Sequence, residues 1–303
     1  VDTYRTQSRG GRGVSAQNLK EEDYVKNIFV ASTHDHVLFF TDLGRVHHRK
    51  GYQIPESSRT ARGTAIVNVL PLEPGESVTA VVTTREFQSD EYLMMVTRNG
   101  TIKRMPFIAL KTNRKGGIRA ITLDEGDHLI NVIRTKGDDN ILIATAQGMA
   151  ICFNENDARP MGRDAVGVRG IALSGGDYVV GAEKAEEGKQ LLTVTEKGYG
   201  KRTELSEYLR TAADGSKTAQ MRGGKGLKNY NITDKTGLVA GCRVVAEDDD
   251  VMLIESGGVI IRVPASSINV YKRDVQGVIV MRIEEGNQVV SVERIDNIAE
   301  EEA

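Results

Sequence analysis

Six times along its 303 residues the chain returns to one short pattern: a glycine, mostly followed by an apolar residue, and then an alternating run that ends in an acidic or glycine turn. The anchors are Gly13-Val14, Gly63-Thr64, Gly117-Ile118, Gly167-Val168, Gly226-Leu227 and Gly277-Val278, at intervals of 50, 54, 50, 59 and 51 residues. The closing turns read KEED, EPGE, DEGD, SGGD, DKTG and EEGN. A second pattern, an apolar run, a glycine turn and a basic or apolar run, occurs five times: LFFTDLGRVHHR, LMMVTRNGTIKR, ILIATAQGMAIC, LLTVTEKGYGKR and MLIESGGVIIRV. Asn-Gly or Lys-Gly between two β-rich runs is hairpin chemistry. A unit of about fifty residues therefore offers a hairpin and further strand, too little to bury both faces alone. Repetition at this period points to a radial, propeller-like ring with roughly four strands per blade.

Composition agrees. Glycine is abundant (32) and proline scarce (6), which suits many short strands joined by tight turns rather than a disordered chain. Neither a WD dipeptide nor any Trp occurs, so the WD40 type is excluded. Six anchors against five hairpins implies a hairpin that would precede residue 1, so the chain is expected to start in mid-repeat and to be part of something longer. The longest interval, the fourth, reflects an insertion, TAADGSKTAQM. Residues 1–296 are expected to form a single all-β domain, and 297–303 a short acidic tail.

No stretch approaches the ~18 apolar residues of a membrane span, and VDTYRTQSRGGRG lacks the apolar core of a signal peptide. Cys152 and Cys242 lie far apart in apolar runs, which excludes a disulfide framework and a CxxC zinc site and makes a reduced, cytoplasmic setting the expectation.

The net charge of −2 hides a pattern. Arginine stands four residues before the anchor glycine in five of six repeats (Arg9, Arg59, Arg163, Arg222, Arg273), and one position later in the remaining one, at Arg114 beside Lys115. Arg62 adjoins the second anchor. The second runs of the hairpins add Arg45, Arg49, Lys50, Lys103, Arg104, Lys201, Arg202 and Arg262. From Thr101 to Ala120 there are six Lys/Arg and no carboxylate; the acids gather at turns. A basic residue repeated at one structural phase lands on one surface of a radial fold, so a near-neutral chain presents a positive belt suited to a phosphate backbone. Such contacts are sequence-independent. Bending a few tens of base pairs around a rim costs up to ~10 kcal/mol, which only contacts spread along the path offset.

The most distinctive segment is Gln7-Ser8-Arg9-Gly10-Gly11-Arg12-Gly13. Its glycines allow close backbone approach and an anion nest, and Arg9 and Arg12 supply bidentate phosphate donors. A second copy, Gln220-Met221-Arg222-Gly223-Gly224-Lys225-Gly226, holds the same phase at the fifth anchor. QSRGGRG resembles the signature box of the bacterial DNA gyrase A family (Gln, basic, Arg, Gly, Gly, basic, Gly). STHDHVLFFTDLGRVHHRKGYQIPE, RTARGTAIVNVLPLEPGE and GYGKRT agree, so the resemblance, to that family's C-terminal domain, spans essentially the whole chain. It implies a six-bladed β-pinwheel that wraps duplex DNA around its rim, presents it to the cleavage core and enables negative supercoiling. It implies as partners duplex DNA, the rest of the gyrase A polypeptide and the gyrase B polypeptide in an A2B2 assembly, and an isolated domain that is monomeric. Gln7, Arg9, Gly10, Gly11, Arg12 and Gly13 match the box, whereas Ser8 and Met221 stand where a basic residue is usual. The cleaving tyrosine of that family lies outside this chain; Tyr4 is not that nucleophile, and the ATPase lies on the gyrase B polypeptide.

Enzymatic readings fare worse. His34 and His36 have no nearby Cys or third ligand. GYGKRT lacks the first P-loop glycine, Thr195 standing in its place, and lies in a hairpin. The expectation is therefore no catalytic residue, no metal and no cofactor. Two alternatives stay open: the corresponding domain of topoisomerase IV, in which the box is degenerate or absent, and a propeller that binds protein partners.

Overall fold

The computed structural model describes residues 8–10, 14–15, 29–57, 63–112, 114 and 117–295. Among them the regular structure is β-strand and short 3-10 turns, with no α-helix. Each of the five hairpins lies at the heart of one four-stranded antiparallel sheet. In blade 1, strands Val78–Thr84, His36–Thr41, Arg45–Lys50 and Ile118–Arg119 follow one another from centre to edge. Blade 2 repeats the order with Leu129–Thr135, Tyr92–Thr97, Thr101–Pro106 and Val168–Arg169, and blade 3 with Val179–Lys184, Asn140–Thr145, Met149–Asn154 and Leu227–Lys228. Blade 4 comprises Val239–Val245, Gln190–Thr195, Tyr199–Glu204 and Val278–Ile279, and blade 5 Val289–Ile295, Asp250–Glu255, Val259–Pro264 and Val14–Ser15. The first-named strands pack against one another in chain order and line a central channel. The two-residue strands are therefore the perimeter.

Every perimeter strand comes from the repeat after the one whose hairpin it completes, and Val14–Ser15 of the first repeat completes blade 5. The expectation of six blades is corrected to five among the described residues. A blade needs a central hairpin, and five occur among the described residues; of the first repeat, the described residues supply an edge strand. The corresponding segment of the second repeat, Gly63–Ala65, forms no ladder, and Ile66 and Val67 after it are 43% and 63% exposed. At the equivalent of Val67, Ile121, Ile171 and Met281 are buried.

The hairpin strands read as continuous apolar runs because both faces are covered. Leu93 and Met95 pack toward blade 1 with Leu38 and Phe40, whereas Met94 and Val96 pack toward blade 3 with Ile141 and Ile143. The same alternation joins blades 3 and 4 through Leu142, Ala144 and Leu191, and blades 4 and 5 through Leu192, Val194, Val251 and Leu253. The core is thus a series of layers between blades. Cys152 and Cys242 lie in the third layer as free thiols, and burial pushes both up to about 12.

The anchor glycine has a steric cause. A Cβ on Gly226, whose φ is +75°, would stand 2.2 Å from the Ala150 carbonyl oxygen, and one on Gly167 2.2 Å from that of Ile102. The backbone entering the perimeter strand lies directly on the hairpin strand beneath it, where no side chain fits. Acidic turns have a structural cause too. Asp127 accepts the backbone N–H groups of Asn99 and His128, and Asp177 those of Gln147 and Tyr178. These carboxylates cap turns at the strand ends, on the flat sides of the ring.

Candidate nucleic-acid interface

In the four perimeter strands beginning at Ile118, Val168, Leu227 and Val278, the first side chain points in and the second points out. Ile118 is buried and Arg119 exposed; Val168 and Leu227 are half-buried, and Arg169 and Lys228 exposed. Sequence reasoning passes over Arg119, Arg169 and Lys228. Their signal, a basic residue two after the anchor glycine, is present there, but it carries weight only once that dipeptide is known to be the outermost strand.

The loops leading into these strands carry the arginines of the repeating phase. Arg163 and Arg114 are exposed. Arg222 donates from Nε to the Asp157 carbonyl (2.9 Å) and from Nη1 to the Arg169 carbonyl (3.0 Å). Arg273 donates from Nη1 to the Lys228 carbonyl (2.9 Å). Both guanidinium groups thus reach across to the perimeter strand of the preceding blade, Arg222 to the backbone of Arg169 and Arg273 to that of Lys228. Lys225 is exposed in the loop that carries Arg222.

In the Gln7–Gly13 box, Arg9 is exposed. Gly10 (φ +75°) donates its N–H to the Val280 carbonyl (2.8 Å), and its own carbonyl accepts from Arg282 Nε (3.1 Å). Gln7, Gly11, Arg12 and Gly13 lie outside the described residues, as do Arg59, Arg62 and Lys115. The second copy docks in the same way, Gly223 (φ +82°) donating to the Gly170 carbonyl (2.6 Å). Its Gln220 is buried, with Nε2 donating to the Tyr208 carbonyl.

The hairpin cations fall elsewhere. Lys103 and Lys201 have no exposed surface, and Arg104 and Arg202 almost none. These four placements correct the sequence expectation, since buried cations touch no phosphate. Arg104 pairs with the buried carboxylate of Glu155 (3.0 Å), and Arg202 donates to the Ile268 carbonyl (2.6 Å). Arg45 is held by Glu73 (2.6 Å). Arg49 donates to the Val69 and His48 carbonyls, and Lys50 to the His34 carbonyl and the His36 ring. Arg262 pairs with Asp250 (2.7 Å). In the central channel Arg243 is shared by Glu183 (2.8 Å) and Glu293 (3.0 Å). On the perimeter, Arg163, Arg169, Lys225 and Lys228 are exposed and form no ion pair with a carboxylate among the described residues. Arg119 does lie 3.9 Å from Asp164, but both side chains are largely exposed and such a pair contributes little. No group of three or more His, Cys, Asp or Glu able to hold a metal occurs among the described residues.

A family profile described as DNA gyrase C-terminal domain, beta-propeller, matches residues 1–32, 35–85, 91–136, 139–186, 189–246 and 249–296. The chain belongs to that family. The last five matched segments of this gyrase-type domain coincide with the hairpin and inner strand of blades 1 to 5, and the first contains Val14–Ser15. The DNA gyrase A protein of Clostridium acetobutylicum is 44% identical over 296 residues, covering 98% of this chain and 35% of that protein. The DNA gyrase A protein of Escherichia coli K12 is 40% identical over 302 residues, covering all of this chain and 34% of its own length. The chain thus spans about a third of the length of the curated relatives it matches. A solved DNA gyrase A C-terminal domain superposes with a TM-score of 0.83 at 25% identity, over 97% of this chain and 94% of that one. A topoisomerase IV C-terminal domain superposes with a TM-score of 0.77 at 24% identity, over 87% and 80%, and shares the fold.

Proposed function

We propose that the chain is the DNA-wrapping module of a DNA gyrase A protein. The observation that carries this reading is the exposure of Arg114, Arg119, Arg163, Arg169, Lys225 and Lys228 on successive perimeter loops and strands. Charges spaced along a curved edge meet the backbone of a duplex bent against it, and each contact offsets part of the bending cost where that cost arises. Phosphates carry no sequence, so the bound DNA is of any sequence. Arg9 of the first box and Arg222 and Lys225 of the second lie on the same path, and Arg12 is assigned to DNA contact on its place in the box. Arg45, Arg49 and Lys50, engaged by neighbouring groups, take a secondary part.

On this reading the module has no active site of its own. It holds DNA for the remainder of the gyrase A polypeptide, where strands are cut and passed, in an assembly with gyrase B that consumes ATP in the cytoplasm. The module by itself is a monomer. The test is binding to a random-sequence linear duplex as salt is raised. Log K is expected to fall with log[salt] at a slope steeper than about −5, the release expected for more than about five neutralised phosphates. A flat response would remove the wrapping reading. Relaxing closed circular DNA in the presence of saturating protein is expected to leave a topological bias, and unbiased topoisomers would mean binding without chiral wrapping.

A further inference from the structure

The third residue of the outer hairpin strand lies beneath the perimeter loop in blades 1 to 4, and no copy of it is exposed in any of the five: His47, Lys103, Ile151, Lys201 and Ile261. An isoleucine there needs no explanation. A lysine does, because an ammonium sealed from water is costly unless its donors are satisfied. Lys103 Nζ donates to the carbonyls of Ala120 and Arg163, both at 2.6 Å. Lys201 Nζ donates to the carbonyls of Lys272 (2.7 Å) and Arg273 (2.5 Å). In both blades one acceptor is the carbonyl of the rim arginine itself.

The loops above these positions fall into two kinds. Over Ile151 runs Arg222-Gly223-Gly224-Lys225-Gly226, docked through the Gly223 N–H on the neighbouring blade; its sequence equivalent in blade 5 is Arg9-Gly10-Gly11-Arg12-Gly13, in which the Gly10 N–H docks likewise. Over the lysines run Arg163-Asp164-Ala165-Val166-Gly167 and Arg273-Asp274-Val275-Gln276-Gly277, in which an aspartate takes the place of that glycine. Asp164 and Asp274 favour the charged form of the lysine beneath, against the burial that lowers it. Blades 2 to 5 thus alternate between two ways of fixing the same arginine.

We propose that Lys103 and Lys201 are positioning residues for DNA binding, each holding from below the loop that sets Arg163 or Arg273 against a phosphate. This rests on the wrapping reading and assigns these lysines an indirect part in it. Without the pin the loop keeps its arginine but loses its fixed placement, and the contact is lost to conformational entropy.

The test is a double-mutant cycle on the 303-residue chain with Lys103→Met and Arg163→Ala, read by affinity for a random-sequence duplex over a salt series. Each single change is expected to make the slope shallower by about one and to weaken binding about fivefold to tenfold at about 0.1 M salt. The double variant is expected to match Arg163→Ala alone, because Lys103 acts through Arg163. Additive losses, or an unchanged Lys103→Met, would overturn the proposal. Hydrogen exchange supplies the structural half: amides of residues 161–167 are expected to lose protection in Lys103→Met while strands Tyr92–Thr97 and Asn140–Thr145 keep theirs. Should Lys103→Met not fold, the cycle is run with Lys103→Gln, which keeps donors without charge, with the same criterion of non-additivity. A flat salt response in the unmodified chain would instead defeat the wrapping reading, so the two failures are distinguishable.

Discussion

A buried cation is tolerated here only where the surrounding backbone or a carboxylate receives it, and the consequences differ from one residue to the next. Arg104 sits on Glu155, which also accepts from Thr135 Oγ1 and from the Gly137 and Asp139 N–H groups. Arg104→Met leaves that carboxylate buried and unpaired and is expected to cost about 3–5 kcal/mol in denaturant unfolding. Arg163→Ala, at an exposed position, is expected to change stability by less than about 0.5 kcal/mol. Lys201 offers a pH test. Burial lowers its pKa to about 7, with Asp274 opposing and Arg273 and Lys228 reinforcing the shift, and the Tyr230 ring lies 5.2 Å from Nζ. The unfolded chain holds this proton up to about pH 10.5, so between about pH 7 and 10 it binds more protons than the folded one. The burial penalty is therefore fully present below about pH 7 and relieved as pH rises. Unfolding free energy of the parent relative to Lys201→Met is expected to increase from about pH 7 to about pH 10; a decrease would refute the assignment. The abundance of Lys and Arg in these strands was legible in the sequence, but their direction was not. Expecting a solvent face on the outer hairpin strand is reasonable for a lone sheet and fails between stacked blades, where both faces of Thr101–Pro106 and Tyr199–Glu204 are covered.

At the scale of the element, the recurring glycines separate into two classes with different costs. Gly126, in the DEGD turn, has a φ of +76° and open space around a would-be Cβ. Gly126→Val therefore strains only the backbone, at about 1–2 kcal/mol. Gly226 combines its φ of +75° with a Cβ position on the Ala150 carbonyl oxygen. Gly226→Ala is expected to cost about 2–4 kcal/mol although alanine is the smaller residue, and thermal melts of the two variants compare these costs directly. The hairpins were readable from their turn residues and β-rich flanks. The two-residue perimeter strands were not, since a dipeptide has no periodicity and its strand character comes wholly from pairing with another repeat's hairpin.

For the whole molecule, the blades are joined by handovers, the third to sixth repeats each supplying the edge of the blade before it and the first repeat the edge of the last. Arg282 reaches the Gly10 carbonyl where the first repeat meets the last. Replacing both Arg9 and Arg12 by alanine is expected to leave the melting curve unchanged and to abolish the topological bias on relaxed circular DNA while plain binding survives. Unfolding of that variant would make the box a structural loop.

The period, the all-β class, the hairpins and the box were determined by the sequence alone, because turn chemistry and apolar runs are local and survive reading in one dimension. Which cations face DNA and which hold the rim in place was decided only in three dimensions. That choice depends on a neighbouring blade covering a face or leaving it open, and no neighbour is visible from within a single repeat. Five blades rather than six follow from the same cause: an anchor glycine marks an edge, but only a hairpin makes a sheet.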